Sequence, residues 1–577
     1  MRTALHSAVA ALGLALFNLP VVTAQAQFNY TANSGTITIT GYTGPGGAVT
    51  IPDTVDALPV TTIGYYAFDS CSSITDVTIP RGITLIQPGA FGRCSGLTAI
   101  TVDPLNPAYG SLAGVLCTKD QTTLIQYPGG KAGTYIIPNS VTSIGDSAFE
   151  ACANLTGVTI PESVTNIGHY AFFICTSLAN VTIPRNVASI GSGAFEACRK
   201  LGAITVDPLN PAYSSLAGVL FNKNQTTLIQ CPGAKAGSYA VPNTVTNIGD
   251  LSFHGCALLT SVAIPNGVTR IGDVAFESCS SLVGITIADT VASIGDMAFD
   301  GCNLSNITIP RGVTNLGIAP FFWGGPLAEI AVDPLNPAYC SVAGVVFNKN
   351  QTAIIQYPPG KAGSYTVPNT VTNIAAYAFA ASQQLTNVII GNSVTTLDDW
   401  AFFDCHGLTR VVLPSGSVTT IGMGAFDGCT LLTAITFPSS LSNIGSYAFS
   451  WCTSLIGAYF EGNAPGGDSS VFDGDNNATV YYLPGTTGWG ATFGGRPTAP
   501  WVPLVLTSDA SFGVKTNQFG FNINWASGKT VVVEAATSLA NPVWVPLRTN
   551  TLIGGLAYFS DPTWTSYPRR FYRIRSP

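Results

Sequence analysis

Charged side chains are scarce in this chain: Lys, Arg, Asp and Glu together make up 9% of its 577 residues. The net charge of -7 is spread thinly, and the arginines that do cluster are Arg569, Arg570, Arg573 and Arg575. A protein that binds nucleic acid needs a basic surface that neutralises phosphates. The composition therefore argues against nucleic acid as a partner.

Long hydrophobic runs are also missing after the first 26 residues, although hydrophobic residues make up 46% of the chain. A membrane-spanning helix needs about 20 apolar residues in succession, so no spanning segment is expected. Residues 1–26 are different, because Arg2 precedes an apolar run over 8–19 and Ala24-Gln25-Ala26 has the small-x-small form of a cleavage site. We interpret them as a signal peptide and expect the mature protein to be secreted or held at the cell surface.

Metal-binding patterns are lacking too. The chain has four histidines and no C-x-x-C pair of the kind that commonly binds zinc. His169, His254 and His406 fall at different positions of the repeat described below, so they are not expected to converge. The stretch DGDNNA (473–478) resembles the start of a calcium loop, but Ala478 stands where that loop requires glycine. We expect no metal, no other cofactor and no catalytic site.

What the chain has in abundance is glycine, proline and β-branched residues, a composition typical of short strands joined by tight turns. Aligned on itself, it repeats a unit that reads approximately C-x-x-L-T-x-V-T-I-P-x-x-V-T-x-I-G-x-x-A-F-x-x, for example from Cys152 and again from Cys175. One such unit cannot bury its own apolar face, so the period predicts a solenoid of stacked coils. Sixteen strand sites, from Val49 to Ile435, predict about sixteen coils.

Each unit contains one clear strand pattern. In LTGVTIP (155–161), Val158 and Ile160 are expected to point into the core and Thr159 to point outward, since side chains alternate along a strand. A phenylalanine follows in each unit, and we expect residues such as Phe172 to form the centre of the core.

A longer module interrupts the period three times, beginning at Val102, Val206 and Val332. Each copy opens with Asp-Pro and Asn-Pro turn signals and continues with two strand-like runs. This pattern predicts a β-hairpin that projects from the stack.

The recurring L-x-x-V/I-x-I/L-P…I-G-x-x-A-F pattern resembles the BspA-like leucine-rich repeat family, also called the Treponema pallidum type, over residues 48–460. The resemblance implies a mainly β leucine-rich-repeat solenoid. Members of that family look like exported or cell-surface proteins, and several are associated with adhesion to host or matrix proteins. The resemblance thus implies a non-catalytic protein of recognition or adhesion.

The remaining segments lie outside the repeats. Residues 27–47 are predicted to form an N-terminal cap, and residues 461–500, rich in Gly, Asp and Asn, an exit segment or C-terminal cap. Five strand-like runs in residues 501–577 predict a small all-β, sandwich-like module. That module has no His, no Cys and few carboxylates, so an enzymatic or carbohydrate-binding role for it is the less favoured alternative.

Fourteen cysteines in a chain expected to be exported raise the question of disulfide bonds. Parallel stacking of coils points neighbouring Cβ atoms the same way, which disfavours bridges, and Ser382 and Gly324 replace Cys in the same column. We expect compact, buried, reduced thiols, and unpaired ones also at Cys117, Cys231 and Cys340 of the hairpins. The cysteine column comprises Cys71, Cys94, Cys152, Cys175, Cys198, Cys256, Cys279, Cys302, Cys405, Cys429 and Cys452.

The outward position of the strand is threonine in ten of the sixteen units. Threonine suits an exposed strand, so β-propensity alone explains the column. The functional interpretation is a neutral hydroxyl surface that binds an extracellular protein or polysaccharide, and the alternative is a structural envelope or matrix component that self-associates. The candidate binding residues are Thr78, Thr101, Thr159, Thr182, Thr205, Thr286 and Thr308.

Overall fold

The computed structural model describes residues 27–576, so the predicted signal peptide, residues 1–26, lies outside the described residues. The described chain is built almost entirely of short β-strands, with a single 3-10 turn at Trp564–Ser566. It divides into two compact units. Within the described residues, the first comprises 27–236 and Ile248–Leu258, and the second comprises Gly237–Asn247 and 259–576.

Every repeat of the first unit contributes one strand of four to six residues, called here the long strand. Burial alternates along it as the sequence predicted: in Asn180–Ile183, Val181 and Ile183 are buried while Thr182 is exposed. Long strands of consecutive repeats pair in parallel, for example Val181 opposite Ile204. The long strands of this unit are Gly47–Thr50, Ile74–Ile79, Ala99–Val102, Gly133–Ile136, Leu155–Thr159, Asn180–Ile183 and Ala203–Val206.

A second strand of two residues, called here the short strand, follows in most repeats and pairs in parallel with its neighbours, as Asn166–Ile167 does with Ser189–Ile190. The first coils instead use Thr54–Val55, the longer Leu58–Ile63 and Leu85–Ile86. The other short strands are Ser143–Ile144, Asn247–Ile248, Arg270–Ile271, Ser293–Ile294, Asn315–Leu316, Asn373–Ile374, Thr396–Leu397, Thr420–Ile421 and Asn443–Ile444.

The phenylalanine of each repeat lies between the long and short strands. Phe172 is fully buried, and its ring stacks on Phe149 at 4.7 Å and on Phe195 at 5.3 Å. The turn that carries it has two left-handed residues, Tyr170 (φ 53°) and Ile174 (φ 58°). Each coil is therefore two strands joined by a tight turn that directs one aromatic ring inward.

In the second unit the long strands continue beyond the repeat pattern. Gly457–Phe460 pairs in parallel with Ala434–Phe437, and Thr479–Tyr482 and Arg496–Pro500 extend the pairing. The described residues thus contain nineteen long strands where the pattern predicted sixteen. In the three added coils, Tyr459, Tyr481 and Ala499 stand at the outward position instead of threonine. The other long strands of this unit are Gly237–Ala240, Leu259–Ala263, Gly284–Thr286, Asn306–Ile309, Glu329–Val332, Gly363–Thr366, Leu385–Ile389 and Arg410–Val412.

Each longer module forms three antiparallel strands. The prediction that its hairpin projects from the stack is wrong, because Val219, Leu220 and Phe221 of the central strand are fully buried in the core. The turn at Ala217 and Gly218 has positive φ at both residues, which matches the twist of a two-residue hairpin. The strands are Tyr109–Leu112, Val115–Thr118 and Thr123–Gln126; Tyr213–Leu216, Val219–Asn222 and Thr227–Gln230; and Tyr339–Val342, Val345–Asn348 and Ala353–Gln356.

One buried asparagine ties each module to the coil before it. Asn210 donates from Nδ2 to the carbonyls of Pro184 and Val187, at 2.8 and 2.9 Å. Its Oδ1 accepts the backbone N–H groups of Ala212 and Tyr213 at 2.9 and 2.8 Å. Asn106 and Asn336 make the same four bonds in the other modules. The recurring Asp-Pro-Leu-Asn-Pro sequence is thus an anchor as well as a turn.

The two ends of the described chain have their own strands. Phe28–Asn33 forms a hairpin with Thr36–Tyr42, which pairs in parallel with Leu58–Ile63. Beyond the solenoid, Thr492–Phe493 runs antiparallel to Arg496–Pro500. The predicted C-terminal all-β module is present as two antiparallel sheets, whose strands are Leu504–Leu506, Gly513–Lys515, Gln518–Asn524 and Leu556–Asp561, and Thr530–Ala536, Val545–Thr551 and Phe571–Arg575.

The C-terminal module packs on the last coils of the second unit. Its core, which includes Phe521, Val533 and Phe559, also contains Leu483 from the end of the coil strand Thr479–Tyr482. The Trp525 indole N–H donates to the backbone carbonyl of Trp501 at 2.8 Å. The module therefore shares its hydrophobic core with the solenoid.

Candidate recognition surface

The seven candidate threonines are all exposed at the outward position of the long strands. Thr78 lies directly opposite Thr101, and Thr182 lies opposite Thr205. The hydroxyls of Thr182 and Thr205 are 2.9 Å apart and hydrogen-bonded. Within these pairs the structure brings the predicted residues together.

The column is not a continuous run of hydroxyls, because apolar residues stand opposite the other three threonines. Thr159 faces Ile136, whose side chain is 73% exposed. Thr286 lies opposite Ala263, and Thr308 lies opposite Ala331. The outward surface of the long strands thus alternates hydroxyl and methyl groups, with little charge.

Towards the last coils, the same outward column becomes aromatic. Thr436 lies opposite Tyr459, which lies opposite Tyr481. The two tyrosine rings stack at 4.9 Å with 12° between their planes, and Trp501 packs on Tyr459 at 4.9 Å. The sequence interpretation missed this extension, although GAYF (457–460) keeps the alternation of the other long strands.

A second aromatic cluster lies at the turns that carry the buried phenylalanines. Its rings contact one another at centroid distances of 5.3 to 6.4 Å, and Tyr377 stacks on Trp400 with 18° between their planes. Trp323 is 43% exposed and the other rings are half-buried. We call this cluster the aromatic patch; it consists of Phe322, Trp323, Tyr377, Trp400 and Phe403.

The backbone of the turn explains why these large side chains lie on the surface. Tyr377 and Trp400 are two residues before a buried phenylalanine and have left-handed φ values of 57° and 58°. The Trp400 ring lies over Gly424 of the next coil, where an added Cβ would be 2.2 Å from its Cε3. The signal in the sequence is the variable residue before Ala-Phe, which the sequence interpretation did not use.

The cysteine column has a hydrogen-bonding role that the sequence did not reveal. None of the fourteen cysteines, which all lie within the described residues, forms a disulfide bond. Cys175 Sγ donates to the Phe149 carbonyl at 3.1 Å, and Cys198 Sγ donates to the Phe172 carbonyl at 3.0 Å. Burial raises the pKa of the Cys175 thiol well above its usual value, which keeps it protonated and able to donate. The thiol therefore fills space in the core and also donates a hydrogen bond to a backbone carbonyl of the turn in the preceding coil.

Asp475 occupies the same column one coil after Cys452 and is 1% exposed. Neither carboxylate oxygen has a hydrogen-bond partner among residues 27–576, and the Arg496 guanidinium donates instead to the Asp475 backbone carbonyl at 2.9 Å. Burial raises the pKa of Asp475 from 3.8 to about 8, although Arg496 opposes the shift. The folded protein therefore holds this carboxyl protonated at neutral pH.

We expect Asp475→Cys to raise the thermal unfolding midpoint more at pH 8 than at pH 4. Between those pH values the unfolded chain loses the Asp475 proton while the folded chain keeps it, so stability of the parent falls as pH rises. A cysteine at position 475 has no buried carboxyl group and therefore removes this loss of stability. It also continues the cysteine column by one coil. Scanning calorimetry at both pH values measures the effect, with Asp53→Asn, an exposed carboxylate in another coil, as control. An equal gain at pH 4 and pH 8 would contradict the assignment.

The clefts in the first unit are small. Two clefts in the first unit measure about 170 and 90 Å³, below the roughly 300 Å³ typical of small-molecule pockets. Across the described part of the chain, no group of three or more His, Cys, Asp or Glu side chains is placed to hold a metal ion. No helix in residues 27–576 is long and apolar enough to cross a membrane.

The three carboxylates of the C-terminal module all make hydrogen bonds or ion pairs. Glu534 is paired with Arg575 at 2.8 Å and Arg573 at 2.7 Å, which lowers its pKa. Asp561 is paired with Arg570 at 3.0 Å and accepts the Tyr572 hydroxyl at 2.9 Å. Asp509 accepts bonds from the Ser511 and Asn522 side chains. These contacts hold strands and turns together.

The stacked parallel strands, with buried phenylalanines at the same turn of most coils, define a leucine-rich-repeat solenoid. Residues 48–109, 131–232, 233–333 and 360–479, more than half of the chain, match the BspA type leucine rich repeat region. The chain therefore belongs to the BspA-type leucine-rich repeat family, which confirms the resemblance in its repeat pattern. Comparison with curated protein sequences gives no match.

Several solved structures are similar to this chain. A leucine rich cell surface protein from Faecalibacterium prausnitzii is 24% identical, with 79% of this chain and 93% of that protein covered and a TM-score of 0.39. A leucine-rich repeat protein from Bacteroides ovatus is 25% identical, covering 79% and 92%, with a TM-score of 0.27. The T. pallidum leucine-rich repeat protein is 23% identical, covering 52% and 88%, with a TM-score of 0.19.

Proposed function

We propose that this protein is exported and acts at the cell surface or outside the cell by binding an extracellular protein or polysaccharide, without catalysis. The observation that carries the proposal is the outward column of the long strands, where neutral side chains of consecutive repeats stand in register and exposed. Repeated weak contacts along such a surface add through avidity. Family membership supports a repeat protein that presents a surface to a partner, since a solenoid exposes many equivalent positions.

We expect the double variant Thr159→Lys, Thr182→Lys to weaken partner binding at least tenfold while leaving the fold intact. Both side chains are exposed, so the fold tolerates lysine, but two charges would have to be desolvated in a neutral interface. The measurement is titration of the labelled mature chain onto arrays of extracellular proteins and polysaccharides, with circular dichroism to check the fold.

The matched control is Thr142→Lys, Thr165→Lys, which adds the same charges beside the short strands of neighbouring coils, where both threonines are also exposed. Parent and control should bind alike. Equal binding by the Thr159, Thr182 variant would place the contact elsewhere. Breakdown of any arrayed polymer by the purified protein would contradict a non-catalytic role.

A further inference from the structure

The aromatic patch concentrates five large rings on the surface of a solenoid whose outward strand column is mostly small and neutral. Aromatic side chains at a surface supply a large contact area at low entropic cost and are enriched among the residues that dominate binding energies. Trp323 is exposed, and the rings of Tyr377 and Trp400 form a stepped pair on the same surface. The patch therefore offers a large aromatic surface that a ligand could contact.

Comparison between the internal copies shows that the solenoid does not need aromatic residues at these positions. In the first longer module, Gly92, Arg93 and Ser147 stand where Phe322, Trp323 and Tyr377 stand in the third. The corresponding residues of the second module are Glu196, Ala197 and Leu251. The buried asparagine anchor, by contrast, is identical in all three. A constant scaffold thus carries different residues at these three surface positions, and all three are aromatic in the third copy alone.

The patch has acidic neighbours. The Asp399 carboxylate accepts the Met423 N–H at 2.7 Å and helps to raise the pKa of Tyr377, after the larger effect of burial. Asp404 follows Phe403 directly and lies over Gly428 of the next coil. The His406 ring lies beside Asp404, with Nε2 3.9 Å from Oδ1. Asp427, in the next coil, adds a second charge that repels Asp404. A cationic ligand would relieve this repulsion.

The C-terminal module of the same chain shows the combination of groups that such a ligand would use. The Arg573 guanidinium lies 4.4 Å from the centre of the Trp544 ring while it pairs with Glu534. Arg570 lies 4.1 Å from the centre of the Tyr567 ring while it pairs with Asp561. In both cases one arginine contacts the face of an aromatic ring and also pairs with a carboxylate.

We propose that the aromatic patch binds an arginine-containing segment of a partner protein, with guanidinium groups against the parts of the Tyr377 and Trp400 rings that their offset stacking leaves open, and paired with Asp399 and Asp404. This rests on the proposed function, because it names the chemistry of a partner and adds a specific contact at the turns to the contact along the threonine column. Protein is favoured over polysaccharide because the rim of the patch is acidic, which complements a cation and not a neutral sugar.

The test is titration of the mature chain with an arginine–glycine peptide, a glutamate–glycine peptide of equal length, and dextran as a neutral polysaccharide. The parent should bind the arginine peptide alone, more weakly as salt is added. Trp400→Ala should weaken this binding roughly tenfold, and Asp399→Asn, which keeps an acceptor for Met423, should weaken it less.

The matched control is Tyr170→Ala. Tyr170 occupies the same turn position in the first unit and makes the same edge contact with Phe173, at 5.7 Å, that Trp400 makes with Phe403 at 5.3 Å. The control should bind the arginine peptide as the parent does.

Equal loss in the Trp400 and Tyr170 variants, or no loss in the Trp400 variant, would overturn the proposal. If the parent binds dextran and Trp400→Ala abolishes this binding, the proposal of a cationic partner is wrong. If the Thr159, Thr182 variant loses an arrayed partner while Trp400→Ala keeps it, the recognition function stands and the patch is not its contact.

Discussion

Phe172→Ala is expected to destabilise the first unit by about 3–5 kcal/mol, because it removes a fully buried ring and leaves a cavity in a close-packed stack. The ring contacts one phenylalanine on each side, so its loss loosens the coil before and the coil after it. Each coil of a solenoid depends on its neighbours for burial. The loss of packing should therefore extend to the adjacent coils and become smaller with distance along the stack.

Limited proteolysis and hydrogen exchange measure this loosening over residues 158–200. The control is Phe173→Ala, the next residue in the chain, whose ring is half-buried and packs edge-on against Tyr170. That variant should lose far less stability. Unchanged protease resistance of residues 158–200 in Phe172→Ala would contradict the assignment of the ring stack as the core.

Asn210→Asp should destabilise the first unit by about 3–5 kcal/mol, although the two side chains have the same shape. The carboxylate still accepts the two N–H groups of the turn, but it cannot donate to the Pro184 and Val187 carbonyls. Two buried carbonyls would lose their donor and face a negative charge. Urea unfolding at neutral pH measures the loss, and lowering the pH should recover part of it as the carboxyl gains a proton.

The reverse exchange three residues earlier is the control. Asp207 accepts the Leu209 N–H at 2.8 Å and donates nothing, so Asp207→Asn keeps that bond and should change stability little. Equal effects of the two substitutions would mean that the Asn210 amide is not the anchor of the module.

The long strands could be predicted from the sequence alone. Side chains alternate along a strand, and the repeat shows the same alternation about every 23 residues. Val158, Thr159 and Ile160 take the directions that the sequence predicted, with Val158 half-buried rather than fully enclosed. The core position of Phe172 follows in the same way. The hairpins were misjudged because Val219, Leu220 and Phe221 form an apolar run whose burial depends on a neighbouring coil, which a turn signal does not reveal.

The sequence by itself determined the solenoid, its family and the exposure of the threonine column, since each of these depends on the period of the repeat. The tertiary structure was needed to show which side chains of different coils are in contact. The cysteine thiol meets a phenylalanine carbonyl 26 residues earlier in the chain, as Cys175 meets Phe149. The aromatic patch joins Phe322 to Phe403 across an entire module. Such contacts depend on stacking and on left-handed turns, which place side chains from different repeats on one surface, and no single repeat contains that information.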